Sequence, residues 1–458
     1  MVIVGQVLRT AQGATATAPA NYVAPALTAL AVFLAIFGFA AFTRHVALEI
    51  NKHFAWVIGG LSFLFAFVPW AVLSFGSADT AAVLYRGLRI PQGIERFWDL
   101  ALVMRSIDCD AWGFNVFVDN NGCLTDAAIY GPGMLWLNHV PFGLFSFTHV
   151  LALGVIAMAI SSLSLVWLAR QSSGIGQVVL VISALGAPWL LLLERGNIDA
   201  VLIWTAVVGV FIVRRWPNLW AWSILAAGLW LVGTWKYYPF AMGIMLLPVL
   251  RVRRGWIVFV AWLGVSLGYI LLTWTNFKFS MQSNSNMTEI GDYVVLGRVP
   301  VVARMFGSVF PSTGYQLGDA LVVLLVLCAA AWGVFLALKT VSRPVYPSMM
   351  AAAGSALFLS SVFVGGFGWA YKAAFLLLCI PMLSLLPNRF GRAGVFAGLV
   401  SMALVAVCSI VVWNTLLASL AGITAAAFAA GLSVTWLVRE VLPLRTSEQR
   451  KPEHSAAR

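Results

Sequence analysis

The chain has 458 residues, of which 61% are hydrophobic and 10% charged, with a mean hydropathy of +0.93 and a formal net charge of +12. One soluble core of this length uses far fewer apolar residues, so a water-soluble enzyme, a disordered chain and a disulfide scaffold are excluded. A nucleic-acid partner is disfavoured too, because excess Lys and Arg in so apolar a chain marks membrane sidedness rather than an anion-binding surface.

Thirteen apolar runs follow in chain order, at 23–43, 54–75, 147–168, 176–193, 198–213, 219–235, 237–250, 256–274, 318–338, 348–365, 370–386, 393–413 and 415–437. A helix needs about 20 residues to cross the hydrocarbon, so each is near the required length, and the shortest, around Phe240, is expected to be tilted or partly interfacial. None alternates as the strands of a membrane barrel do. The expectation is an all-α polytopic membrane protein with about 13 transmembrane helices. Its single membrane domain covers 23–437, between an N-terminal external segment 1–22 and a basic cytoplasmic tail 438–458.

Every second connection is basic: Arg44/Lys52, Arg170, Arg214/Arg215, Arg251/Arg253/Arg254, Lys339/Arg343, Arg389/Arg392 and the tail from Arg439. Placed together, these put 17 Lys and Arg with 4 Asp and Glu on one side, against 11 and 12 on the other. The positive-inside bias thus accounts for the whole charge excess and sets the C-terminus in the cytoplasm of a multi-pass plasma-membrane protein. Segment 1–22 holds only Arg9 and lacks a basic leader pattern, so no cleaved signal peptide is expected.

Two long loops then lie outside, at about 76–146 and 275–317. In the first, Ile94, Phe97, Trp98, Ala101, Leu102 and Met104 recur at helical spacing with Glu95, Arg96, Asp99 and Arg105 between them, which predicts a helix lying in the outer interface. The second is rich in Asn and Ser over 276–292 and carries a formal glycosylation triplet at Asn286. Cys109 and Cys123 share the first loop, 14 residues apart, and can close a disulfide on an oxidising face. No His stands at ligand spacing to either, so a divalent metal is not indicated; Cys328, Cys379 and Cys408 fall inside apolar runs as packing residues.

Ionisable groups at the ends of apolar helices are functional candidates by default. Three such clusters fall on the outer face: Glu194-Arg195-Gly196-Asn197-Ile198-Asp199, Trp235-Lys236-Tyr237-Tyr238-Pro239, and Gly365-Gly366-Phe367-Gly368-Trp369-Ala370-Tyr371-Lys372. A short turn between helices needs polar residues, and Lys, Tyr and Trp are common at membrane interfaces, so each cluster alone has an ordinary explanation. Their convergence on one face favours a site. Cations at headgroup level can hold a lipid phosphate, and a carboxylate beside them can take the proton of an attacking hydroxyl.

These residues, in this order, resemble glycosyltransferase family 87. The Glu194–Asp199 turn is followed by a helix, a basic turn, and a Gly-containing helix from Gly228 that ends in Lys236-Tyr237-Tyr238-Pro239. In the first loop, Asp99, then Val116-Phe117-Val118 with Cys123, then Tyr130-Gly131-Pro132 with Trp136, are similar to the family's catalytic loop; Tyr371-Lys372 reaching Pro381 is similar to a later segment. The chain departs from that pattern at Phe117, Asn121-Gly122 and Ala370, and by an additional first helix. The resemblance implies a GT-C fold of bacterial plasma membranes and a polyprenyl-phosphate sugar as donor, often mannosyl, with a glycolipid or glycan as acceptor and no cofactor. By position it implies Asp99 as catalytic base and Lys236 as a phosphate contact. Arg195 and Lys372 join Lys236 as candidate phosphate-binding cations, and Asn197, Asp199, Tyr130, Tyr237 and Tyr371 form a candidate substrate-binding set. Asp199 suits a partner of Arg195 or Lys236 better than a base, while Asp79, Asp108 and Asp110 compete with Asp99 for that role. One transferred sugar must bridge base and phosphate, so the reading requires Asp99 and Lys236 within about 15 Å of each other. The alternative, a transporter or flippase of lipid-linked sugars, calls for midplane polar residues and repeated halves, neither of which is visible.

Overall fold

The computed structural model describes residues 52–76, 78–88, 97–118, 122–124, 130–278, 314–340, 344–363, 370–388, 391–410 and 415–442, with isolated positions between 30 and 36. Among the described residues the chain is helical throughout and contains no strand. The α-helices are α1 (Lys52–Phe75), α2 (Ala78–Leu88), α3 (Trp98–Ala111), α4 (Val150–Gln171), α5 (Gly174–Ala184), α6 (Ala187–Glu194), α7 (Asp199–Arg215) and α8 (Leu219–Trp235). They continue as α9 (Gly255–Leu272), α10 (Gly314–Lys339), α11 (Val345–Phe363), α12 (Ile380–Leu383), α13 (Gly391–Ile410) and α14 (Thr415–Val441). The predicted run 23–43, the second long loop beyond Lys278 with Asn286, the segment 1–22 and the tail beyond Leu442 lie outside the described residues, isolated positions aside.

Seven helices among the described residues are long and apolar enough to cross a membrane, or eight if α5 and α6, bent by 56° at their junction, count as one span. The protein is therefore a polytopic membrane protein, all-helical over its described residues. The bend falls at Gly186-Ala187-Pro188, where Pro188 supplies no N–H to the preceding turn. The other apolar runs among the described residues fold as shorter segments. Helices α7 and α8 have 17 residues each, about 26 Å at the α-helical rise. Tyr238–Arg251 is a 3-10 segment of 14 residues, and its steeper rise of about 2.0 Å per residue carries it about 28 Å, close to a hydrocarbon thickness. Pro239 opens this segment and Pro248 lies inside it, two positions that cannot donate to an α-helical ladder. A second 3-10 segment, Ala370–Cys379, continues into α12. Both 3-10 segments begin at the polar clusters.

Close approach through small residues holds the bundle. A Cβ at Gly431 would come within 2.1 Å of the Ala330 carbonyl oxygen, and one at Gly333 within 2.4 Å of the Phe428 oxygen, so α10 and α14 touch backbone to backbone. Trp189, Phe358, Phe375 and Trp436 are fully buried in the middle. The side chains of α9 stand largely outward, with Trp256, Val260, Leu263, Leu267 and Leu271 exposed where lipid covers them. At the ends remote from the polar clusters, Arg214 donates to Gln171, Arg251 pairs with Glu440, and Arg439 donates to the carbonyls of Ala337 and Thr340.

The helix predicted in the first loop forms, but it is packed differently from the expectation. It begins at Trp98, and Ala101, Val103, Met104 and Ile107 are buried by protein, with Val103 and Ile107 meeting Tyr130, Met134 and Ile198. Its apolar side is thus covered by the bundle and the rest of the loop instead of lying in lipid. A disulfide joins Cys109 in its last turn to Cys123.

Candidate functional site

The site is assembled at the junction of α3, the α6–α7 turn and the end of α8. Gly196 has φ +58°, the left-handed region, and a Cβ there would stand 3.1 Å from the Leu100 Cβ and 3.2 Å from the Phe97 ring. Glycine is therefore needed both for the turn and for seating α3 upon it. The amide of Leu100 donates to the Arg195 carbonyl (3.3 Å), tying the first turn of α3 to the same place.

From this turn Arg195 Nη1 reaches Asp99 Oδ1 at 3.4 Å, while Asn197 Nδ2 donates to Asp99 Oδ2. The Asn197 amide is oriented by its other end: Oδ1 accepts from the backbone N–H of Asp199 (2.8 Å) and from Lys236 Nζ (3.4 Å). Asp199 Oδ1 in turn accepts from Lys236 Nζ (2.5 Å) and the Tyr238 hydroxyl (2.6 Å). Asp99 and Lys236 are thus one side-chain amide apart, well inside the separation that a single sugar can bridge.

Aromatic rings complete the arrangement. Lys236 Nζ lies 5.1 Å from the Tyr130 ring centre, Lys372 Nζ lies 4.8 Å from that of Tyr238, and the Arg195 guanidinium is 5.3 Å from the Trp98 ring. Tyr371 stands close enough to Asp99 and Asp199 to feel their charges. Tyr130 is held by its neighbours: Gly131 N donates to the Trp235 carbonyl (2.7 Å), and Gly133 N to the Tyr269 hydroxyl (3.0 Å), which donates to the Thr234 carbonyl (2.9 Å). A Cβ at Gly131 would meet that Thr234 oxygen at 2.3 Å, so the Tyr130-Gly131-Pro132-Gly133 segment packs against the end of α8 only with glycine.

The two carboxylates differ in access. The Asp199 side chain has no exposure, whereas those of Asp99 and Lys236 keep 15% and 14%. A substrate hydroxyl can therefore meet Asp99 and a substrate anion can meet Lys236, while Asp199 is sealed behind them. Burial pushes the Asp99 carboxyl above its ordinary value; the Arg195 charge, the Asn197 hydrogen bond and the Lys236 charge pull it down, and the Asp199 charge pushes it up. Burial, reinforced by the Asp99 and Asp199 charges, also raises the Tyr130 phenol well above its ordinary range, so it remains a neutral hydrogen-bonding group.

Eight of the sequence-derived site residues, Asp99, Arg195, Asn197, Asp199, Lys236, Tyr130, Tyr371 and Lys372, come together here. Tyr237 does not. Its ring packs beside Tyr269 and Phe277, with its hydroxyl toward the Thr273 carbonyl. Lys236 has extended backbone (φ −143°, ψ 131°), which turns its neighbour to the opposite side, and Tyr238 takes the place expected of Tyr237. The competing aspartates have other partners: Asp108 Oδ2 accepts from the Phe147 amide (2.9 Å) and the Ser146 hydroxyl (3.2 Å), and Asp110 Oδ2 from Asn138 (2.9 Å). Asp79 lies in the first turn of α2, outside the cluster. Tyr238 stood in the second polar cluster and Trp98 in the helix-spaced run of the first loop, but neither was singled out for the site; proximity to Lys236 and Asp99 was the available signal. Among the described residues no group of three or more His, Cys, Asp or Glu is placed to hold a metal ion. Compared with known proteins, the chain matches no family model, no curated protein and no solved structure.

Proposed function

We propose that this chain is an inverting, GT-C-type hexosyltransferase that moves a sugar, mannose being the leading candidate, from a polyprenyl-phosphate donor to a glycolipid or glycan acceptor. The reading places it in a plasma membrane, with about 13 spans, the site at the outer leaflet and the C-terminus in the cytoplasm. The observation that carries it is the pair of partly open groups, Asp99 and Lys236, held at fixed separation by the Asn197 amide. Asp99 takes the proton of the acceptor hydroxyl as that oxygen attacks the anomeric carbon. The bond from that carbon to the phosphate oxygen breaks with inversion, and the phosphate leaves with the bonding electron pair. Lys236, assisted by Arg195 and Lys372, stabilises the charge that develops there. Asp199 and Tyr238 keep the Lys236 ammonium in position.

The test is transfer by the purified chain in lipid nanodiscs, offered radiolabelled polyprenyl-phosphate hexoses and a panel of glycolipid and oligosaccharide acceptors. The reading expects a glycosidic product of inverted anomeric configuration. Retention of configuration, or movement of intact donor across a vesicle bilayer without transfer, would overturn it.

A further inference from the structure

The far end of α3 presents a surface that the sugar-transfer reading does not use. Beyond Ala111 the chain exposes Trp112 (70%) and Phe114 (38%), and the neighbouring turn exposes Phe142 completely and Leu144 (45%). Phe142 has φ 67°, a left-handed backbone that a bulky residue adopts only under constraint. The constraint is visible. Asp108 and Asp110, in the last turn of α3, bind Ser146, Phe147 and Asn138, which bracket Phe142 on both sides. The Ser146 amide closes on the Gly143 carbonyl (2.9 Å), and the Cys109–Cys123 disulfide ties the segment after Trp112 back to the helix. A rigid framework therefore holds four apolar side chains outward.

Their height is bounded by the chain. The membrane-crossing stretch that contains α4 starts at Phe147, so Leu144 and Phe142 precede membrane entry by only three and five residues, at most about 18 Å of fully extended chain. The turn at Gly143–Ser146 shortens that reach further. The Arg105 guanidinium lies over the Phe147 ring at 4.4 Å, setting a cation at the level where lipid phosphates lie. An indole and apolar side chains beside a cation, continuous with a bilayer-crossing helix, match the headgroup–acyl boundary.

We infer that Trp112, Phe114, Phe142 and Leu144 form a lipid-contact edge that inserts into the bilayer surface on the side of the site. This edge pins the far end of α3, whose first turn carries Asp99, at a fixed depth. The inference does not depend on which reaction the site performs.

The test is nitroxide labelling of Phe142→Cys, Leu144→Cys and Trp112→Cys, each separately, in the full chain with Cys328→Ser, reconstituted in nanodiscs. Leu267→Cys on the lipid-facing side of α9 serves as the bilayer reference, and a free water-soluble nitroxide in the same suspension as the aqueous one. The expected result is a ratio of oxygen to nickel-chelate collisions near that of Leu267→Cys at two or more of the three positions. A ratio near that of the free water-soluble nitroxide would show a water-facing platform, such as one for glycan stacking, and protection from both reagents would show cover by a second copy. Either result overturns the inference. If Phe142→Cys fails to fold, the other two positions decide.

Discussion

The proposed function makes Asp199 a structural group and Asp99 the reacting one, and the structural role is tested first. Asp199 is sealed from solvent and accepts from both Lys236 and Tyr238. Removing it as Asp199→Ala strands a largely buried ammonium and a partly buried phenol, and loss of one partner from such an ion pair costs about 3–5 kcal/mol. Lys236→Met strands the carboxylate instead and costs a similar amount. The double variant strands neither charge, so its loss should fall short of the sum of the singles by at least about 2 kcal/mol. The assay is reversible unfolding in mixed micelles, with chymotrypsin resistance of the nanodisc-reconstituted chain as a second readout. Either single combined with Asp99→Asn should show no comparable coupling, because Arg195 and Asn197 are the direct partners of Asp99. Additive losses from Asp199→Ala and Lys236→Met would refute the reasoning, since they would show that the 2.5 Å contact does not join the two groups energetically.

Two further predictions follow from the geometry. Because burial raises the Asp99 carboxyl, transfer should fall as pH drops through an acid limb lying above the range of a free carboxylate. The Arg195 charge opposes that rise, so Arg195→Gln should move the limb to higher pH; a limb that stays in place in the pH–rate profile of kcat/KM would contradict the assignment. Gly196→Ala should cost about 1–3 kcal/mol through its left-handed φ and should displace the first turn of α3 through the contact with Leu100. A loss of transfer larger than the loss of stability is expected, and a variant with wild-type turnover would show that the seat of α3 is not needed.

The degree to which this site was legible depends on what each residue's placement requires. Arg195, Asn197 and Asp199 were legible because three polar side chains stood in a turn between two apolar runs, where lipid-buried helices tolerate few. Lys236 was legible from its place at the end of such a run. The choice between Tyr237 and Tyr238 was not, because it depends on the extended backbone at Lys236 and on a 3-10 rather than α-helical start at Tyr238. The same limit applies to α3. Periodicity showed that Ala101 and Met104 share a face, but an apolar face has the same pattern whether protein or lipid covers it. Trp112 and Phe142, outside any periodic segment, gave no pattern at all. The pairing of Cys109 with Cys123 needed only spacing and a shared loop, whereas the partners of Asp108 and Asp110 lie some 28 to 39 residues away, across contacts that no local motif encodes.

The most direct test of the account is Asp99→Asn, a replacement that keeps the size of the side chain while removing the proton acceptor. Transfer from a radiolabelled polyprenyl-phosphate hexose should fall by about 10²–10⁴-fold, with donor binding retained in a chain that still folds, at a lowered unfolding midpoint because Arg195 loses its carboxylate partner. An Asp99→Asn variant that transfers sugar at the parental rate would contradict the assignment of Asp99 as the base.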